Sequence, residues 1–247
     1  MRVGYAGGMD TRTLLIDGIE VEVVRKRVKH LRLTVSAPDG RVRVSAPLHV
    51  DDEAVRAMVG ARLDWIRRHR SRLSGVEAPA PLRIVTGERH RVGGEPYELR
   101  VVEHRGAPGV EIIGQSLELR VRPGSDRARR LAVLESWLRE RLRAQVAELV
   151  AAWEPRIGVS VCEVGIRKMT TRWGSCNVRA GRIWLNLELA RRSPGCVAYV
   201  VVHEMVHLLE RRHDARFYGF MDRFLPDWRV LRDELNRVPL AHEDWEY

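Results

Sequence analysis

Lysine is nearly absent from this chain, which has it only at Lys26, Lys29 and Lys168, so its 43 basic residues are almost all arginine. Cysteine is scarce as well. Cys162, Cys176 and Cys196 are odd in number and no two form a CxxC pair, which argues against a disulfide framework and against a thiolate zinc cluster. No run of eighteen apolar residues occurs, so no membrane-spanning helix is expected. The opening MRVGYAGGMDTRT lacks the continuous apolar core of a signal peptide, and the expectation is a cytoplasmic protein. A glycine-rich phosphate loop is missing, and no internal repeat or low-complexity segment stands out.

What is present begins with charge. The formal net charge is +10, a field that suits anionic partners such as nucleic acid or nucleotides through a basic surface. The arginines lie along the whole chain with no arginine–glycine or arginine–aromatic repeat, so a solvated arginine-rich surface is the better explanation of the charge. At 247 residues, 45% of them hydrophobic, the chain can build one large domain or two small ones.

The pattern along the chain predicts an α+β fold. Residues 1–12 are glycine-rich and read as a loose N-terminus. Residues 13–122 read as β-rich with one helix. Apolar residues alternate at Ile19, Val21 and Val23, then at Leu31, Leu33 and Val35, then at Val42 and Val44, with a hairpin break at Pro38-Asp39-Gly40. Asp51 or Asp52 is placed to cap a helix running to about Leu73. Further strands are expected at Tyr97–Val102 and Leu117–Val121. After Pro123-Gly124 the period changes, with a soft boundary near 123 and a mainly helical region over 123–247. Leu131, Leu134, Leu138, Leu142, Val146 and Leu149 mark a long helix expected to end before Pro155. Strands are expected between Val159 and Leu189, and Ser193-Pro194 opens an apolar helix through Met205.

That last helix carries His203-Glu204-Met205-Val206-His207. Two histidines four apart lie one turn above each other on one helix face, within reach of a single metal at about 2.0–2.1 Å. Glu204, beside the first ligand, is placed to take a proton from a metal-bound water and pass it to a leaving group. A chance match remains the competing explanation, but the motif sits in an apolar helix, where a buried histidine pair needs partners that a metal supplies.

A catalytic zinc site needs a third protein ligand and an open position. His213 follows His207 by six residues, the spacing of HExxHxxGxxH proteases. On an unbroken helix it would stand about 15 Å from His203 along the axis, so the helix must stop near Leu209–Arg212. Glu210-Arg211-Arg212 offers no glycine for that turn. A carboxylate from Asp227, Asp233 or Glu234 is the alternative ligand.

Several elements together resemble a known family. Arg167-Lys168-Met169-Thr170-Thr171-Arg172-Trp173-Gly174-Ser175-Cys176 is followed by Ile183-Trp184-Leu185-Asn186-Leu187, then by the HExxH helix, His213-Asp214-Ala215-Arg216-Phe217-Tyr218 and Leu225-Pro226-Asp227-Trp228. This order resembles the bacterial YgjP-like metallohydrolases, relatives of the SprT-like and WLM metallopeptidases, over most of residues 14–237. The resemblance implies a zincin-like core, a helix bundle with an antiparallel sheet, preceded by the mostly β region. It also implies one Zn2+ on His203, His207 and His213, with Glu204 as base.

Around this centre, Gly174 allows a bend or a close approach. Trp173 reads as packing under the metal helix, Ser175 as a hydrogen-bond donor, and Cys176 as a small buried residue. Arg172 and Asn186 read equally as substrate contacts or as the fixed wall of the site. Three functions remain open. One is a zinc metallopeptidase that holds a peptide or protein substrate along an edge strand at 182–188. The second is a metal-dependent nucleotide pyrophosphohydrolase whose arginines grip phosphate. The third is a nucleic-acid-binding module with a structural zinc, which the intact Glu204 argues against.

Overall fold

The computed structural model describes residues 10–36, 40–73, 82–169 and 172–237. The chain forms two compact units, Met1–Ala80 and Pro81–Tyr247.

In the first unit, β1 (Asp10–Ile16) and β2 (Ile19–Arg25) pair antiparallel. They are joined through Asp17-Gly18, with φ of 47° and 75°, the left-handed pair that a two-residue hairpin turn requires. β3 (Arg32–Ser36) and β4 (Arg41–Ala46) form a second antiparallel pair, and β4 lies parallel to β2, giving the order β1-β2-β4-β3. Pro38-Asp39 of the expected hairpin lie outside the described residues. Residues 10–12, expected in the loose N-terminus, are paired strand. Ile19, Val21, Val23, Val42 and Val44 are buried, and Val55, Val59 and Ile66 join them in one core. The helix expected over 52–73 is two: α1 (Asp52–Gly60), N-capped by the Asp51 carboxylate, and α2 (Leu63–Leu73). The break at Ala61-Arg62 follows directly on the glycine that closes α1.

The second unit opens with β5 (Arg89–Val92), β6 (Glu95–Glu103), β7 (Gly109–Ile113) and β8 (Ser116–Val121), ordered β5-β6-β8-β7 with only β6 and β8 parallel. This repeats the strand order and directions of the first sheet, and in both cases the next helix is N-capped by an aspartate, Asp51 or Asp126. The sequence hides the repeat because topology constrains only the apolar alternation, not the residues that carry it.

Leu117, Leu119 and Val121 of β8 share one core with Leu134, Leu138 and Leu142 of α3 (Arg127–Ile157), so residue 123 does not separate two units. α3 also runs through Pro155 to a left-handed Gly158 (φ 78°). Proline is accommodated because it falls in the last turn, where its missing N–H forfeits a single hydrogen bond.

β9 (Glu163–Arg167), β10 (Gly174–Asn177) and β11 (Arg182–Asn186) form a third sheet, ordered β10-β11-β9. It is mixed where an antiparallel sheet was expected. β10 intervenes along the chain but pairs on the far side of β11, leaving β9 and β11 parallel. α4 (Pro194–Val206), α5 (Ala215–Phe224) and α6 (Trp228–Arg237) complete the mixed α+β unit. Nine of the thirteen residues of α4 are buried, as expected of a helix apolar on every side. Among the described residues, no helix is long and apolar enough to cross a membrane.

Candidate metal centre

Ser193 starts α4 by accepting a hydrogen bond from the Cys196 N–H, with Pro194 in the first helical turn. The helix ends at Val206, earlier than expected, and His207 caps it. The return to His213 involves no residue of positive φ, which explains why Glu210-Arg211-Arg212 manages the turn without a glycine. Asp214 then caps α5 by accepting from the N–H groups of Arg216 and Phe217, both at 3.1 Å.

This turn brings His213 back to the helix. One nitrogen from each of His203, His207 and His213 lies within 4.8 Å of the others, a group that could hold a metal ion, and the Nε2 atoms of His203 and His213 are 3.0 Å apart. Tetrahedral nitrogen ligands at zinc distances stand about 3.3 Å apart, so the spacing suits the ion. His207 Nδ1 lies 3.0 Å from the Glu210 carbonyl. A carbonyl only accepts, so Nδ1 carries the proton and Nε2 keeps its lone pair. Burial, reinforced by the neighbouring imidazoles, pushes His203 down to about 3, and burial also lowers His207. Both rings are therefore neutral donors at pH 7. Among the described residues, Asp227, Asp233 and Glu234 are not part of this cluster.

Phe217, 1% exposed, packs against all three imidazoles with ring centroids 4.7–4.9 Å away. Tyr199 meets His203 edge-on and stacks on the buried Trp228, which in turn stacks on Tyr218. Trp228 Nε1 donates to Asp222 Oδ1 at 2.8 Å. The Leu225-Pro226-Asp227-Trp228 element thus buttresses the histidines from behind, a role that its sequence did not reveal.

Glu204 opens onto the same cleft of about 780 Å³. It is 5% exposed, and burial pushes its carboxyl up to about 8 against the opposing pull of Arg172. Arg172, Ser175 and Cys176 also line the cleft, as do Arg179 and Arg211, which no motif singles out. The Cys176 thiol is raised to about 11, first by burial and then by Glu204, so it stays protonated, and it stands outside the histidine cluster.

Asn186 and Trp173 do not line the cleft. The fully buried Asn186 donates from Nδ2 to the carbonyls of Met169 (2.7 Å) and Arg172 (2.9 Å) and accepts at Oδ1 from the N–H groups of Met169 and Glu188. All its hydrogen-bonding capacity is spent on the wall. Trp173 is half-buried against the core beneath the Arg192 guanidinium. Of the strand expected to offer an edge, 182–188, residues 182–186 form β11, which lies between β10 and β9, and Leu187-Glu188 begin a short helical turn. The edge strand at the cleft is β10, whose Gly174, Ser175, Cys176 and Asn177 all line it.

No curated protein matches the chain. Two solved structures are similar to part of it. The metallopeptidase zymogen of Pyrococcus abyssi abylysin is 19% identical with a TM-score of 0.34, over 36% of this chain and 90% of that one. The zymogen of Methanocaldococcus jannaschii jannalysin is 15% identical with a TM-score of 0.32, over 38% and 92%. Residues 29–238 match the model of the YgjP-like family, described as a metallopeptidase domain. The chain therefore belongs to the YgjP-like family and is a metal-dependent hydrolase.

Proposed function

We propose that this chain is a zinc metallopeptidase with a zincin-like core that cleaves peptide or protein substrates. The observation that carries this reading is the convergence of three imidazoles on one point beside a buried glutamate. His203, His207 and His213 would hold one Zn2+. The ion supplies Lewis acidity, which makes water a nucleophile near neutral pH and polarises a carbonyl.

The remaining steps belong to the protein. With a cation held beside it, Glu204 would be favoured as the carboxylate, the form that accepts a proton from an attacking water. Glu204 then returns that proton to the leaving amine, as a base of shifted affinity does in general acid–base catalysis. The unpaired edge of β10 offers backbone N–H and C=O groups to an extended peptide. Arg172 is close enough to influence Glu204 and can stabilise charge that develops on the carbonyl oxygen.

The test incubates zinc-loaded protein with casein and, separately, with nucleoside triphosphates, with Glu204→Gln as the control. Casein cleavage that Glu204→Gln abolishes supports the reading. Hydrolysis of the triphosphates alone would replace it with the pyrophosphohydrolase alternative.

A further inference from the structure

Arginine elsewhere in this protein commonly has an internal partner. Arg25 pairs with Asp52, Arg43 with Glu22 and Arg182 with Glu163, while Arg141 and Arg167 lie over tryptophan rings. The cleft is different. Arg172, Arg179 and Arg211 all line it, and among the described residues its only acidic one is Glu204. Among the described residues, none of the three guanidinium groups forms a hydrogen bond, ion pair or ring contact.

Their places in the fold give the charge a direction. Arg172 stands just before β10 and Arg179 in the short helical turn, Val178–Ala180, just after it. A peptide extended along the edge of β10, roughly 13 Å long at strand spacing, runs from one guanidinium toward the other. Arg211 comes from the turn between His207 and His213 and adds charge beside the metal ligands.

We infer that the cleft selects peptides carrying aspartate or glutamate on both sides of the scissile bond. The inference rests on the peptidase reading above. Guanidinium forks suit carboxylates because two parallel N–H donors meet two oxygens, and they repel basic side chains at the same positions. A single-stranded nucleic acid is the other polyanion such a cleft could meet. It fits less well, because among the described residues no Trp, Tyr or Phe lines the cleft to stack a base, whereas β10 offers a backbone ladder that only a peptide can complete.

The experiment compares three quenched fluorescent peptide sets on the zinc-loaded full chain. They share one backbone and carry Asp/Glu, Asn/Gln or Lys/Arg on both sides of the cleaved bond. Exposed charge pairs contribute about 2- to 5-fold each, so kcat/KM for the acidic set should exceed the neutral set by about 10-fold at low salt. The margin should shrink as salt is raised. Arg179→Glu with Arg211→Glu should reverse the ranking of acidic and basic sets. Arg179→Gln and Arg211→Gln should each reduce the acidic preference by about 2- to 5-fold. Zinc content and the melting temperature check each variant's fold, and both side chains are exposed, so the core is untouched.

Equal cleavage of all three sets overturns the inference and leaves the peptidase reading standing. Cleavage of none overturns both. A competition arm uses a poly-glutamate peptide and a single-stranded oligonucleotide of equal charge against the neutral substrate. Tighter inhibition by the oligonucleotide overturns the inference in favour of nucleic acid.

Discussion

Gly174 and Glu204 meet so closely that position 174 has no room for a side chain: a Cβ there would lie 2.5 Å from Glu204 Oε1 and 2.8 Å from its Cγ. The φ at 174 is not left-handed, so the backbone itself accepts alanine. Alanine at 174 must displace the carboxylate, since the walls around a side chain only 5% exposed leave it one position. Gly174→Ala should therefore lower kcat by about 10²-fold, the usual consequence of moving a catalytic group by about 1 Å. Zinc stoichiometry and melting temperature should stay near wild type. Unchanged turnover in Gly174→Ala would show that Glu204 tolerates displacement and is not the base.

His213 tests the ligand set. Its nitrogen approaches His203 to 3.0 Å, whereas Asp233 pairs with Arg232 and stands outside the cluster. His213→Ala should bind zinc at least tenfold more weakly, in line with losing a ligand. Asp233→Ala and Glu234→Ala should match wild type in competition with a chelator. The reverse ranking would give the third position to a carboxylate.

Much of this centre was legible in the sequence because periodicity and motif spacing are local properties. His203 and Glu204 lie on α4 and His207 caps it, the one-turn spacing that the motif predicts. The alternating residues Val21, Val23, Val42 and Val44 were legible for the same reason. What escaped depended on pairing across the sheet. Which strand is the edge is decided by β9 joining β11 from a distance, and nothing within 182–186 records it. Asn186 was ambiguous because its four partners lie on segments 2 to 17 residues away. Arg179 and Arg211 were lost among forty-three basic residues, and only the fold shows that they share a cleft.

Phe217 couples α5 to the ligands. Its ring is 1% exposed and within 4.9 Å of each imidazole centroid, so truncation opens a cavity directly behind the site. Phe217→Ala should cost about 3–5 kcal/mol of stability. It should also weaken zinc binding although no ligand is removed, because the three rings lose the surface that fixes their orientation. Phe217→Leu should recover most of both. If zinc affinity in Phe217→Ala equals wild type after the stability loss is measured by urea titration, the ring serves packing alone.

His90, buried in the second unit, places Nε2 2.9 Å from Glu88 Oε2, and Arg191 reaches its Nδ1 at 3.4 Å. Arginine only donates, so Nδ1 accepts and Nε2 carries the proton toward the carboxylate, which is a neutral ring satisfied on both sides. Burial lowers the pKa of His90, and Arg191 adds to that, while Glu88 opposes it. Burial alone would raise Glu88, but the N–H groups of Arg83 and Ile84, both at 2.7 Å, and His90 outweigh it and hold the carboxyl below its ordinary value. The two shifts act at different pH. His90 accepts a proton more readily in the unfolded chain, so its contribution is intact above about 6.5 and falls as pH drops below that. The contribution of Glu88 survives down to about 4.5 and is lost only below it. His203 and His207 titrate in the same direction as His90, so wild type alone cannot isolate it. His90→Gln keeps a donor for Glu88 and removes the titration. Urea midpoints measured between about pH 7.5 and 5 should fall less steeply for His90→Gln than for wild type. Parallel curves across the whole range would mean that His90 takes up its proton without cost, contrary to the burial and hydrogen bonding seen here.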